Sequence, residues 1–329
     1  MARHRVDRAP QRGRRRTLRS LCSSACAALL ANLLAGFSLP AGAQAPMVSE
    51  DAIVRVSDNV YVIPDQRVNL VPNIGIIVGD RGIMVVDTGM GPDNAERVLK
   101  QVRKISDKKI LYLTVTHFHP EHGMGAQAFP ADTTIMYPTA QRDELLQKGE
   151  AFIKFFSGFS PDIARLLQNV RIVPAHVTFT TEAEIDLGGT AVRLLHFGPA
   201  HTRGDNFVFL PRERILFGGD VVLNRFFPIL PDPDASGSQW ITILDQLAKL
   251  APATVVPGHG EVGDGRLIAA MKQHLVAVRD RVRELTGQGK SAADITRAVS
   301  VEFGETYQGW QNPQWLKNEA ENFHAEMTK

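Results

Sequence analysis

Three histidines and a glutamate fall within six consecutive positions, in the stretch HFHPEH at residues 117–122. The whole chain has ten histidines, so this stretch concentrates them. Histidine nitrogens and carboxylate oxygens are the ligands that a borderline divalent ion binds where no thiolate is available. The stretch therefore predicts a metal site with His117, His119, Glu121 and His122 as candidate ligands.

Further candidate ligands stand downstream, each at the end of a predicted strand. The full set fits two groups of three ligands that share one carboxylate. The first group is His117, His119 and His201 (in HFGPAHTRGDN), the second is Glu121, His122 and His259 (in VPGHGEV), and the bridging ligand is Asp220 (in LFGGDVV).

The choice of His201 as ligand depends on the local pattern. His196 competes with it, but His196 lies inside the strand pattern VRLLHF, whereas His201 follows Gly-Pro in a loop. We therefore expect His201 to bind metal and His196 to pack nearby or to support the site. Asp205 is expected either to support His201 or to stabilise a surface turn.

Short β-rich runs separated by turns must position these residues. NVYVIP, NIGIIVG and GIMVVDTG are three such runs. KILYLTVTHFH is a buried strand that leads into the histidine stretch, with His122 predicted in the loop just beyond it. GPDNAERVLKQVRKI predicts an amphipathic helix, because its apolar residues recur on one face. A second series of strands spans RIVPAHVTF to TVVPGHG, and the chain is predicted to be helical after Gly265, with Ser291 as a helix N-cap.

Four phenylalanines recur at near-helical spacing within the predicted helical region 139–170: Phe152, Phe155, Phe156 and Phe159. Two interpretations remain open for them. They form the core face of that helix, or they form an apolar flap over an active site.

The first 45 residues differ in composition from the rest. They contain eight arginines and one aspartate, which leaves 29 basic against 34 acidic side chains in residues 46–329. A basic segment, an uncharged Ala- and Leu-rich segment and the site Ala43-Gln44-Ala45 predict an export signal over residues 1–45. The sequence RRTL at residues 15–18 favours the twin-arginine route over ordinary secretion, and a retained membrane anchor is the alternative.

Residues 46–329 are expected to form one domain, in the periplasm or secreted, with a helical C-terminal region from about residue 265. Both cysteines, Cys22 and Cys26, lie in the predicted signal, so the mature chain offers no thiolate and no disulfide. Its acidic balance gives no reason to expect nucleic acid or an anionic membrane as a partner. We expect a small-molecule substrate and no stable membrane anchor after signal cleavage.

Taken in order, the motifs VVDTG, HFHPEH, GPAHT, GGD and GHG resemble those of the metallo-β-lactamase-fold hydrolase superfamily over roughly residues 55 to 285. The resemblance implies an α/β fold, a four-layer αβ/βα sandwich with the metals at one edge between the sheets. It also implies that Asp87, in VVDTG, is a structural residue that holds the metal loop through backbone amides.

Two positions depart from the superfamily pattern. Glu121 stands where the family normally has aspartate, and the extra methylene predicts a second metal site that is weaker or displaced. Asp220 stands where zinc-dependent lactamases of the commonest clinical type have cysteine. This aspartate points to the dinuclear esterase, thioesterase and lactonase branches.

Together with the predicted export signal, the resemblance implies a periplasmic zinc-dependent hydrolase with two Zn²⁺ ions per chain, iron or manganese being alternatives. A metal-bridging hydroxide would attack the carbonyl of a small ester, thioester, lactone or β-lactam, with Glu121 and Asp220 as catalytic residues. Two other functions stay open. One is a mononuclear iron sulfur dioxygenase, and the other is a non-catalytic metal-binding accessory protein of a periplasmic quinoprotein system.

Overall fold

The computed structural model describes residues 44–230, 232 and 234–328. The predicted export signal lies outside the described residues, except for its last two positions. Of the helices in the described part of the chain, none combines the length and the apolar composition needed to cross a membrane.

The first sheet follows chain order from edge to edge and contains β1 (Val54–Arg55), β2 (Val60–Ile63), β3 (Ile74–Val78), β4 (Ile83–Val86), β5 (Ile110–Thr114), β6 (Thr134–Pro138) and β7 (Val177–Phe179). Strands β1 to β4 pair antiparallel, and β4 to β7 pair parallel. Because β4 and β5 run in the same direction, the residues that follow them lie at the same edge of the sheet.

The second sheet contains β8 (Glu182–Asp186), β9 (Ala191–Leu195), β10 (Phe207–Leu210), β11 (Ile215–Gly219) and β12 (Thr254–Pro257), in the spatial order β12-β11-β10-β9-β8. Strand β10 is antiparallel to both β9 and β11, and β11 is parallel to β12. Strands β9, β11 and β12 therefore share one direction, and the loops that follow them share one edge.

The described helices are α1 (Gly91–Ile105), α2 (Pro120–Gly123), α3 (Thr139–Ser157), α4 (Pro161–Leu167), α5 (Gly237–Lys249), α6 (Arg266–Gly287), α7 (Ala292–Thr306) and α8 (Leu316–Thr328), with 3₁₀ turns at Ala126–Ala128 and Pro313–Trp315. The predicted N-cap of α7 is confirmed, because the Ser291 hydroxyl accepts a hydrogen bond from the N–H of Asp294 at 3.2 Å.

Apolar cores hold the layers together. Between the sheets, Val62 and Met84 of the first sheet pack with Val208 and Phe217 of the second. On the outer face of the second sheet, Trp240 of α5 belongs to a core shared with α6, α7 and α8. Helix α1 joins the parallel strands β4 and β5, and one of its faces is buried through Ala95, Val98 and Val102. The predicted αβ/βα sandwich is confirmed.

Residues 46–50, here called the N-terminal segment, are bound to α1 through their main chain. Asn94 accepts a hydrogen bond from the N–H of Val48 at 2.7 Å and donates one to another main-chain carbonyl of the segment at 2.9 Å. Arg97 and Gln101 each donate to a further carbonyl of the segment, both at 3.0 Å. These three side chains are spaced along one face of α1, which therefore sets the conformation of the segment.

Two local predictions were wrong. The predicted strand RIVPAHVTF (171–179) is a strand only at Val177–Phe179, because Pro174 has no N–H to give to a ladder. The sequence places His122 in a loop, whereas it lies in the helical turn α2. Pro120 begins that turn, at a position where proline is favoured.

Candidate metal centre

The predicted ligands all lie at one edge of the sandwich, in segments that follow strands. The HFHPEH stretch comes after β5, His201 lies between β9 and β10, Asp220 directly follows β11 and His259 follows β12. The two sheets meet at this edge, where the N–H of Asn206 donates to the carbonyl of Thr116 at 2.8 Å. Strand direction therefore gathers residues that are far apart in the chain.

The first predicted group, His117, His119 and His201, is brought together with its candidate ligand atoms within 4.8 Å of one another. His119 Nδ1 and His201 Nε2 are 3.1 Å apart. Two nitrogens that bind one tetrahedral ion at about 2.0–2.1 Å are separated by about 3.3 Å. The observed spacing is close to that value, so these nitrogens are placed as two ligands of one ion would be.

The second predicted group, Glu121, His122 and His259, is also brought within 4.8 Å. Glu121 is 3% exposed, and its carboxylate reaches the two histidines despite the extra methylene of glutamate. The fold therefore assembles a second candidate site around this glutamate.

Asp220 lies between the two groups. Its Oδ1 is 3.4 Å from His122 Nε2 and 3.7 Å from His259 Nε2, both in the second group. Its Oδ2 is 3.9 Å from His201 Nε2, in the first group. One carboxylate oxygen thus faces each group, which is the arrangement that a bridging ligand requires.

Several buried atoms at the centre have no hydrogen-bond partner among the described residues: His117 Nε2, Glu121 Oε2, His122 Nε2 and both carboxylate oxygens of Asp220. Buried polar atoms in native proteins are nearly always satisfied. Divalent cations would satisfy all of these atoms at once, and imidazole and carboxylate are suitable donors. The residues present therefore fit a metal centre.

The ring nitrogen that faces away from the centre is anchored in three of the histidines. Nδ1 of His201 donates to a main-chain carbonyl at 2.7 Å, and Nδ1 of His259 donates to another at 2.9 Å. Nδ1 of His122 donates to the Asp87 carboxylate at 2.9 Å. These contacts fix the tautomers and leave each Nε2 free to bind an ion.

Asp87 also holds the loop that carries the HFHPEH stretch. Its carboxylate accepts hydrogen bonds from the N–H and the hydroxyl of Thr116, at 2.7 and 2.9 Å. The backbone of Asp87 is left-handed, with φ 68°, a conformation that aspartate and asparagine tolerate better than most residues. The sequence pattern predicted this structural function for Asp87 but did not reveal its partner Thr116.

Two glycines allow close packing around the metal centre. A Cβ at Gly258 would lie 2.1 Å from Asp220 Oδ1. Gly219 has φ 50°, and a Cβ there would lie 2.8 Å from the Cβ of Thr116, in the loop that follows β5 of the first sheet. The glycines in GGD and GHG are therefore required by packing as well as by turn geometry.

Burial sets the charge of the first group. It lowers the pKa of both His117 and His119 well below the usual histidine value, and neighbouring histidines lower it further. Burial also lowers the pKa of His201. These imidazoles are neutral at neutral pH, which is the form that binds metal.

In the second group, the pKa values of two candidate ligands are raised in the absence of metal, so these side chains tend to hold protons. Burial alone would lower the pKa of His122, but the carboxylates of Asp220 and Asp87 outweigh it and raise that pKa well above its usual value. Burial raises the pKa of Glu121 to about 7. Burial would also raise the pKa of Asp220, yet the surrounding histidines, His259 first, hold it below its usual range.

The loop that carries His201 is held by Asp205. The Asp205 carboxylate accepts hydrogen bonds from the N–H groups of His201 and Thr202, at 2.8 and 3.1 Å, and is 3% exposed. It therefore supports the loop from within and does not form a surface turn. His196 donates from Nδ1 to the carbonyl of Asp205 at 2.8 Å and lies outside both candidate groups.

A buried ion-pair cluster ties α3 to the loop that follows β11. Lys148 Nζ lies 2.9 Å from Glu144, 2.7 Å from Asp232 and 2.8 Å from Asp234. Glu144 also accepts a hydrogen bond from the N–H of Gly204 at 3.2 Å, next to the His201 loop. This cluster was not predicted, because nothing in the sequence pairs Lys148 with residues more than 80 positions away.

Of the four phenylalanines, some lie in the core and one lies at the metal centre, so each of the two interpretations holds for part of the set. Phe156 and Phe159 are 6% and 8% exposed, as core residues are. Phe152 instead stacks on the ring of His119, with centroids 5.0 Å apart and an interplanar angle of 19°. One aromatic ring of α3 therefore contacts a candidate metal ligand directly.

The model of the metallo-beta-lactamase superfamily matches residues 68–259, which include every predicted ligand. The chain belongs to this family, as the order of its motifs predicted. The chain is also 26% identical over 264 residues to a linear primary-alkylsulfatase of Pseudomonas sp. (strain ATCC 19151), covering 69% of this chain and 49% of that protein. It therefore spans about half the length of this curated relative.

Other relatives carry the lactamase name. A metallo-beta-lactamase type 2 of Bacillus sp. (strain 170) is 26% identical over 202 residues, covering 60% of this chain and 70% of that protein. Among solved structures, the metallo-beta-lactamase from Pontibacter korlensis has a TM-score of 0.55 at 21% identity, covering 68% of this chain and 98% of that chain. The sec-alkylsulfatase Pisa1 from Pseudomonas sp. has a TM-score of 0.63 at 14% identity, covering 84% and 50%. The two structures support the fold, and the family assignment agrees with the predicted class of metal-dependent hydrolase.

Proposed function

We propose that the protein is a periplasmic zinc-dependent hydrolase with two ions per chain. One observation carries the proposal: two groups of three buried ligands face one shared carboxylate, Asp220, at the edge where the sheets meet. The first ion would be held by His117, His119 and His201, the second by Glu121, His122 and His259, and Asp220 would contact both.

When bound, the ions would supply a hydroxide at neutral pH and polarise the bond to be cleaved. The chain's own residues supply the orientation. Asp220 presents one oxygen to each group, and its low pKa keeps it ionised. The buried carboxylate of Glu121 lies beside the reacting centre, where it would bind metal and orient the attacking oxygen. Asp87 and Thr116 fix the loop that carries four of the ligands.

The proposed substrate is a small ester, thioester, lactone or β-lactam, from which hydrolysis adds OH to the carbonyl carbon and a proton to the leaving atom. The lactamase relatives support this class. A second candidate is an alkyl sulfate, cleaved to sulfate and an alcohol. One observation supports this second candidate: the similarity to the alkylsulfatase Pisa1 extends over 84% of this chain, whereas the similarity to the Pontibacter korlensis lactamase extends over 68%.

The proposed location is the periplasm. The export-signal pattern of residues 1–45 supports it, and the acidic balance of residues 46–329 fits a soluble domain that acts on a small molecule without a nucleic-acid or membrane partner.

The test combines elemental analysis of the purified protein with assays on a β-lactam, a lactone, a thioester and an alkyl sulfate. We expect about two zinc ions per chain and turnover of one substrate class. Asp220→Asn should bind less metal and lose on the order of 100-fold or more in rate, since it loses a bridging charge. The matched control is His324→Gln, because His324 lies on α8 and belongs to neither candidate group. This variant should keep the metal content and the rate of the unmodified protein.

The same measurements separate the other two functions. One bound iron with oxygen consumption would identify a sulfur dioxygenase. Tightly bound metal without turnover of any of the four substrates would support an accessory metal-binding protein and contradict the hydrolase.

A further inference from the structure

The candidate metal centre approaches solvent beside two of its ligands. His119 and His259 are each 6% exposed, whereas the other five candidate ligands are between 0% and 3% exposed. A substrate must therefore enter next to these two histidines. The residues that border them decide which chemical groups can lie there.

The border beside His259 is polar. Phe226 contacts the His259 ring, with centroids 5.5 Å apart, but it is only 3% exposed. Arg67 lies over Phe226, 5.6 Å from its centroid, and forms an ion pair with Glu261. On this side the guanidinium of Arg67 covers the aromatic ring.

The border beside His119 is apolar. The half-buried Phe152 stacks on His119, and Phe155 follows one helical turn later, with its centroid 6.3 Å from that of Phe152. Phe156 lies 5.8 Å from Phe155, is buried and supports both rings from behind. We call Phe152 and Phe155 the aromatic wall.

We propose that the aromatic wall binds an apolar alkyl or aryl group of the substrate, on the His119 side of the centre. This inference rests on the proposed function and specifies its substrate class: esters of apolar acids or alcohols with several carbon atoms. The occupant is a small molecule because the wall begins at a candidate metal ligand. A group that lies on Phe152 is therefore continuous with a group that reaches the metal.

The test uses binding, so that it does not depend on catalysis. The probes are n-alkyl hydroxamates, whose head group chelates metal and whose tail is lengthened from two to about eight carbons. Binding to the zinc-loaded protein is measured by calorimetry. Each methylene that lies on the wall should tighten binding about three- to fourfold, as expected for a buried methylene.

The variants Phe152→Ala and Phe155→Ala should reduce this dependence on chain length. Phe303→Ala removes a partly buried phenylalanine of α7 that packs against His274, away from the candidate ligands, and should leave the dependence unchanged. If Phe152→Ala fails to fold, Phe155→Ala still tests the proposal, because Phe155 is not stacked on a candidate ligand.

Two outcomes would overturn the proposal, and they differ in meaning. Hydroxamates that bind equally well at every chain length would contradict the apolar wall and leave the metal centre intact. Hydroxamates that fail to bind at any length would contradict the metal centre, and the inference would fall with it.

Discussion

Nδ1 of His122 lies 2.9 Å from the Asp87 carboxylate, although the two residues are 35 positions apart. Asp87→Asn removes the charge that orients this imidazole and keeps a residue that tolerates the left-handed backbone. We expect affinity for the second metal ion to fall on the order of 10- to 100-fold, with little change in fold. Competition with a chelator measures it. Asp186→Asn, at the exposed end of β8, is the control, and equal metal affinity in both variants would contradict the coupling.

Metal uptake by the metal-free protein should release protons. The pKa of His122 is raised by Asp220 and Asp87, and burial raises that of Glu121 to about 7, so below neutral pH both groups carry a proton that an ion must displace. Metal affinity should therefore fall as the pH falls. Calorimetry in buffers of different ionisation enthalpy should detect protons released from both groups near pH 6, in addition to any proton lost by a metal-bound water. Metal binding near pH 6 without proton release, or an affinity that does not fall with pH, would contradict these shifts.

The GHG motif should be intolerant of a single methyl group. Gly258→Ala places a Cβ where Asp220 Oδ1 now lies, at 2.1 Å, so the carboxylate must move. We expect a loss of about 1–3 kcal/mol in the free energy of unfolding, together with weaker binding of both ions. Gly287→Ala is the control, since a Cβ there meets nothing within 4 Å. Urea titration compares the two variants. Equal free energies of unfolding would show that the Asp220 carboxylate can move without loss of stability.

Lys148 should be essential for stability because of the carboxylates around it. Its side chain is 13% exposed, and Glu144 and Asp232 are buried beside it, so Lys148→Met leaves both without a counter-charge. Breaking such a buried pair typically costs about 3–5 kcal/mol. Lys154→Met, an exposed position on the same helix, should cost little. Urea unfolding measures both, and a small loss in Lys148→Met would mean that the carboxylates reach solvent or become protonated.

The sequence predicted the candidate ligands because they follow strands in short motifs. Strand direction brings His117, His201 and His259 to one edge, and the residues before each of them mark a strand or a tight turn. The choice of His201 over His196 depended on this local signal, and only His201 belongs to a candidate group. The predicted metal-binding function of these residues stays a prediction until an ion is measured.

Other features had no local signal. The cluster around Lys148 joins residues 84 and 86 positions away, a pairing that no periodicity can indicate. The helical spacing of the phenylalanines did not reveal that Phe152 stacks on His119, or that the buried ring of Phe156 also lies beside it, with centroids 6.2 Å apart. The predicted strand over residues 171–179 was too long because apolar composition outweighed the effect of Pro174 on sheet pairing.

The attachment of the N-terminal segment to α1 has a consequence for sequence variation among homologues. Side chains of α1 contact the main chain of the segment, and main-chain groups are the same for nearly every amino acid. Asn94, Arg97 and Gln101 should therefore vary little between orthologues. Position 47 should vary more, whereas the side chain of Glu50 also forms an ion pair with Lys100 of α1. At Val48, which is 1% exposed, only small apolar residues should be accepted.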